Sequence, residues 1–189
     1  MHNKLAIVCG SFEVLHNGHA QMITHAASLA ERLLLIVGSP NSYRGIDMPA
    51  QRAIIESWLV ITGSRNPVIH DTVICEVPDI LSDRIWVSSV WRYAGQVSRS
   101  NGISARASNT VWIGKRQPWW FYLPKNIYAL EYDYPSHTRE ILEHIVANGN
   151  IEELQGLMPD DTRHLVNQYI QKHGVERFRT VLERLGNES

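Results

Sequence analysis

Two histidines frame a glycine in His16-Asn17-Gly18-His19, a few residues beyond the turn-forming pair Gly10-Ser11. Imidazoles three residues apart share one helical face and can reach the same oxygen atoms. A helix beginning at this point would add free backbone N–H groups and a partial positive charge, both of which favour a phosphate. Gly18 lets backbone or ligand come close without a Cβ in the way. From the chain's own His and Gly content, such a four-residue pattern is expected by accident about 0.03 times. A metal site is the competing use of paired histidines. No carboxylate or third histidine lies nearby in sequence at ligand spacing, so no metal ligand is expected from the protein's side chains.

The segments around this motif read as the parts of an α/β sheet. Leu5-Ala6-Ile7-Val8 and Leu33-Leu34-Leu35-Ile36-Val37 are continuous apolar runs ending near glycines, the pattern of buried parallel strands. Between them Met22, Ile23, Ala26, Ala27, Leu29 and Ala30 recur at helical spacing, predicting a helix over 18–32. Further helices are predicted over 49–62, 84–97 and 136–147. Strands are predicted over 68–77, 111–113 and 127–130. Ser98 to Asn109 reads as a Ser-, Asn- and Arg-rich loop. Two or three more helices are expected from Ile151 to Leu185, with breaks at Pro159 and Gly174. The alternation predicts an α/β Rossmann-like, doubly wound parallel sheet with a C-terminal helical segment. The expected division is 1–148 for the main domain and 149–189 for helices packed on it. In such sheets ligands bind at the carboxyl ends of the strands, where strand order reverses.

Composition narrows the classes. The 189 residues are 44% hydrophobic with a net charge of -1, which argues against a broadly basic nucleic-acid binder. The two cysteines, Cys9 and Cys75, lie in apolar runs and read as reduced, buried thiols. No apolar stretch approaches membrane-spanning length, and Met1 to Lys4 lack the apolar region of a signal peptide. A cytoplasmic protein without membrane or nucleic-acid partners is expected. A homo-oligomer is left open.

Gly10-Ser11-Phe12 followed by His16-Asn17-Gly18-His19 resembles the signature of the HxGH nucleotidyltransferase superfamily. Other segments resemble its nicotinamide mononucleotide (NMN) adenylyltransferases, of the archaeal type or the adenylyltransferase half of bifunctional Nudix enzymes. These are Val37-Gly38-Ser39 with Arg44, Pro49 and Arg52; Val77 to Ile80 with Asp83 and Trp86 to Val90; Ile113-Gly114-Lys115; and Tyr134 to Leu142. The likeness covers most of residues 5–145, and a Nudix half has no counterpart in the 189 residues. It implies NAD synthesis from ATP and NMN with release of pyrophosphate and with Mg²⁺ as cofactor. His16, His19 and Arg139 would be catalytic. Gly10, Ser11, Phe12, Gly18, Arg44, Gly114, Lys115, Ser136 and Thr138 would bind ATP and its phosphates. Asp79 and Asp83 would accept hydrogen bonds from the acceptor, and Trp86 would stack on the nicotinamide.

Two departures stand out. Ser11 occupies a position where this branch usually has Arg. The second phosphate motif, Ser-x-Thr-x-x-Arg, aligns on Arg139 with Ser136 in place of Thr, or on Ser136 and Thr138 without the Arg. The first alignment continues the helix through Glu140-Ile141-Leu142, with Ser136 as its expected N-cap after Pro135. Each candidate also has an ordinary role: Trp86 as core, Asp83 as a helix cap, Arg44 as a solvated loop cation and Arg139 as a solvated helix residue. The aromatic run Trp119 to Tyr122 reads as core by default. Nicotinate mononucleotide and pantetheine-phosphate adenylyltransferases are the neighbouring alternatives. A nucleotide-binding regulator without catalysis is the alternative of another class.

Overall fold

A computed structural model describes residues 3–38, 44–77, 82–103 and 106–187. In chain order the elements are β1 (Leu5–Gly10), α1 (Asn17–Leu29), β2 (Leu33–Val37), α2 (Met48–Gly63), α3 (Pro67–His70), β3 (Val73–Glu76) and α4 (Asp83–Ser100). They continue with β4 (Thr110–Gly114), β5 (Tyr128–Glu131), α5 (Thr138–Asn148), α6 (Asp160–His173) and α7 (Glu176–Asn187). The chain forms two interleaved compact units. One comprises Met1–Ser11, Gln21–Ser39 and Thr62–Tyr134; the other comprises Phe12–Ala20, Pro40–Ile61 and Pro135–Ser189.

The first unit holds all five strands in the order β3-β2-β1-β4-β5, every neighbouring pair parallel. Side chains alternate across each strand. Leu5, Ile7, Leu34, Ile36 and Trp112 therefore share one face, where they join Trp86, Val87, Val90 and Ala94 of α4 in a continuous core. Ala6, Val8, Leu33, Leu35, Val111 and Ile113 point the other way and are buried as well. Burial of both faces explains why these strands read as unbroken apolar runs rather than alternating ones. This is the Rossmann-like α/β architecture. Strand order reverses between β1 and β4, so Gly10 and Gly114 end neighbouring strands at the point where such sheets open a crevice.

The span 68–77 is not one strand. Asn66 accepts the Val68 N–H through its side chain at 3.0 Å, and Pro67 stands at the first helical position. Both favour a helix start, and they turn Val68 and Ile69 into α3 despite their β-branched side chains. Ser98 to Ser100 continue α4, and Ala107–Asn109 form a short 3-10 turn, so only part of 98–109 is loop. Within the aromatic run, Trp119 packs between Trp86 and Trp112 at 5.1 and 5.4 Å, whereas Phe121 is 89% exposed.

In the second unit α5 and α7 pack along one another. The Tyr169 hydroxyl, on α6, donates to the Asp47 carboxylate at 2.9 Å, and an Arg177 nitrogen, on α7, lies 3.8 Å from the same carboxylate. α5 ends at Gly149, whose φ of 69° is the left-handed conformation that closes a helix at little cost only with glycine. α5 begins at Thr138, with His137 as the flanking residue and no side-chain cap. Ser136 is thus one residue outside the capping position that its residue type suggested. Among the described residues no helix is long and apolar enough to cross a membrane.

Candidate active site

The turn between β1 and α1 is held by buried side chains on one side and charge on the other. Phe12 has a φ of 47°, a conformation that costs a non-glycine residue about 1–3 kcal/mol and that clusters at functional turns. Its ring is buried 4.8 Å from the His19 ring, so any phosphate contact at this position must come from its backbone. The Glu13 carboxylate accepts the Gly45 N–H at 2.5 Å and the Ile46 N–H at 3.4 Å. Burial pushes the Glu13 carboxyl above its ordinary value, against the pull of Arg44 and of these two N–H groups.

Arg44 itself is only 2% exposed, and its Nε donates to the Ile46 carbonyl at 3.3 Å. The solvated-loop reading of Arg44 is therefore incorrect. Its Gly/Ser/Pro-rich surroundings suggest solvent, but Glu13, far away in sequence, supplies a buried countercharge.

His16 caps α1. The His19 N–H donates to His16 Nδ1 at 3.3 Å, the geometry of a side chain before a helix accepting from its third residue. A nitrogen that accepts carries no proton, so His16 presents an Nε2–H donor. The two rings stack, with centroids 3.7 Å apart and planes inclined by 21°. The Asn17 N–H donates to the Leu157 carbonyl at 2.8 Å and its side chain to the Gly156 carbonyl at 2.7 Å. Of the amides opening α1, Asn17 and His19 are thus used internally. Gly18 keeps an N–H with no acceptor among the described residues, so this helix end offers an anion fewer donors than its sequence suggests.

A third imidazole joins the pair. His137 lies with its ring centroid 5.9 Å from that of His16 and nearly perpendicular to it. Its Nδ1 is 3.3 Å from Glu140 Oε2. His16 is 0% and His19 5% exposed, whereas the His137 side chain is 26% exposed, which makes it the cluster's solvent-facing member. Sequence reasoning missed His137. It stands between Ser136 and Thr138, both singled out, but nothing local ties it to His16. Ser136 is exposed and Thr138 half-buried. The Arg139 guanidinium turns along α5 to Glu143 at 3.3 Å, with one nitrogen 3.7 Å from where a Cβ on Gly186 would stand. Among the described residues no group of three or more His, Cys, Asp or Glu side chains is placed to hold a metal ion.

The remaining candidates belong to the sheet-containing unit. Ser11 is exposed just past β1, and Lys115 follows β4 with its Nζ 5.0 Å from the centre of the Tyr134 ring. Trp86 is 8% exposed, within the tryptophan cluster, and its indole N–H donates to the Val77 carbonyl at 3.4 Å. Asp83 is exposed in the first turn of α4; the flanking position is Ser82, so Asp83 is not the N-cap. Asp79 lies outside the described residues.

Residues 7–52 match the cytidylyltransferase-like family. No curated protein matches the chain significantly. Among solved structures, the fold is similar to a bifunctional NMN adenylyltransferase/ADP-ribose pyrophosphatase from Francisella tularensis, complexed with AMP and an Mn ion. The TM-score is 0.67 at 14% identity, over 99% of this chain and 56% of the other. This chain thus spans little more than half the length of that protein. A candidate nicotinate-nucleotide adenylyltransferase from Vibrio parahaemolyticus aligns with a TM-score of 0.58 at 11% identity, over 93% of this chain and 96% of the other. The nicotinic acid mononucleotide adenylyltransferase of Plasmodium falciparum, complexed with NaAD, gives 0.53 at 10% identity, over 89% and 96%. At such identities the likeness establishes a shared fold.

Proposed function

We propose that this protein is a nucleotidyltransferase that joins a mononucleotide to the AMP part of ATP, with NMN as acceptor and NAD as product. The observation that carries this reading is the convergence of His16, His19 and His137, from two motif segments far apart in sequence. The match of residues 7–52 and the fold shared with adenylyltransferases support it.

In the proposed reaction an oxygen of the NMN phosphate attacks the α-phosphorus of ATP. A new P–O bond forms, the bond to the α–β bridging oxygen breaks, and that oxygen's electron pair leaves with pyrophosphate. The nucleophile is already anionic at neutral pH, so the work is positioning and charge stabilisation. The Nε2–H of His16, the His19 ring and the Gly18 N–H are the donors assigned to the α- and β-phosphate oxygens. Among the described residues no side-chain group is placed to hold Mg²⁺, so the ion would belong to the MgATP substrate and would neutralise phosphate charge there. Ser11, Lys115, Ser136, Thr138 and Arg139 are proposed for the remaining phosphate contacts, and Asp79, Asp83 and Trp86 for the acceptor. The reading requires that a phosphate reach rings that are almost fully covered, and His137 marks the accessible side.

The deciding experiment is pyrophosphate release from ATP and Mg²⁺ with NMN, nicotinate mononucleotide and phosphopantetheine in parallel. Turnover highest with NMN supports the full proposal. A preference for either of the others keeps the class and replaces the acceptor. A regulator that only binds nucleotide is favoured by Ser11 and by the engagement of Arg139 with Glu143. It would bind ATP or NAD without releasing pyrophosphate with any acceptor.

A further inference from the structure

We infer that His137, oriented by Glu140, is a ligand-contacting residue for the β- and γ-phosphates of the nucleoside triphosphate. This rests on the nucleotide-binding part of the proposed function and extends it to a residue that neither motif names. In this unit Arg44 is buried with its Nε donating to the Ile46 carbonyl, and Arg139 lies against Glu143, which it would have to leave to meet a phosphate. The position after Gly10 is the uncharged Ser11.

His137 is the basic side chain that the structure places against the buried imidazole pair with an edge in solvent. Its contact with Glu140 through Nδ1 fixes the ring's orientation and leaves Nε2 as its second edge. In the imidazolium form both nitrogens donate, one to the carboxylate and the other to a phosphate oxygen. Such a contact is charge-assisted and distinguishes polyphosphates from a monophosphate.

The test is calorimetric binding of MgATP, inorganic pyrophosphate and AMP to the full chain, to His137→Ala, to His137→Arg and to Glu140→Gln. Melting of each variant is measured alongside. His137→Ala is expected to weaken ATP and pyrophosphate about 10-fold, with AMP within two-fold and the melting temperature unchanged, the loss being about 1.4 kcal/mol. His137→Arg should recover most of the affinity, and Glu140→Gln should lose a smaller part of it. The inference is overturned if His137→Ala binds ATP within two-fold of the wild type. Equal weakening of AMP and ATP, or a wild-type chain that binds no ATP, overturns it as well. A wild type that binds ATP yet releases no pyrophosphate with any acceptor defeats the catalytic reading, while this inference is still decided by the binding ratios.

Discussion

Removing the His19 imidazole deletes a ring that touches both His16 and Phe12 at the mouth of α1. If that ring stabilises charge on the transferring phosphate, His19→Ala should lower kcat by about 10²–10³-fold, the usual loss for one preorganised donor. A loss of only a few-fold in the pyrophosphate-release assay would remove His19 from the mechanism. Asp47 makes a different claim, about stability. Burial pushes its carboxyl up, but the Ala50 N–H, the Tyr169 hydroxyl and Arg177 outweigh that and hold it below the ordinary aspartate value. A depressed folded pKa means that the stabilisation is present above the unfolded value of about 3.9 and is lost as pH falls through the folded one. Thermal melts from pH 6 down to pH 2.5 should therefore show a wild-type advantage over Asp47→Asn that shrinks in acid. An advantage that stays constant or grows would refute the assignment. At this scale the sequence was legible where a contact is local, as between His16 and His19. It was opaque where a partner arrives from a distant segment, as with Glu13 for Arg44 and His16 for His137.

Among the elements, α1 and α3 show how a terminus overrides its neighbours. In α1 the capping group is an imidazole, which couples the helix end to the same ring that would meet a phosphate. In α3 the Asn66 cap and Pro67 outweigh the strand preference of Val68 and Ile69. Asn66→Ala should cost about 1 kcal/mol, read by urea denaturation, without altering nucleotide affinity. No change in stability would mean that Pro67 alone sets this helix. β1, β2 and β4 were foreseeable because strands buried on both faces are short apolar runs closed by turn residues. Their order was not, because pairing β1 with β4 joins segments with no local relation.

For the molecule, the C-terminal helices were readable as amphipathic elements, but where they would dock was not. The structure answers through Asp47, Tyr169 and Arg177, and through Phe178, which is fully buried. A Cβ placed on Gly45 would stand 2.5 Å from Phe178 Cδ1. Gly45→Ala should thus destabilise the fold by about 1–3 kcal/mol. Shaving the ring with Phe178→Leu should recover part of that loss in the double variant, and strict additivity in denaturation would contradict the clash.

That single ring has a practical corollary. It plugs the spot beside the glycine that follows Arg44, so one ring of α7 acts as a stopper for a segment encoded more than a hundred positions earlier. Cutting α7 away therefore tampers with the setting of Arg44, although that edit touches no motif residue.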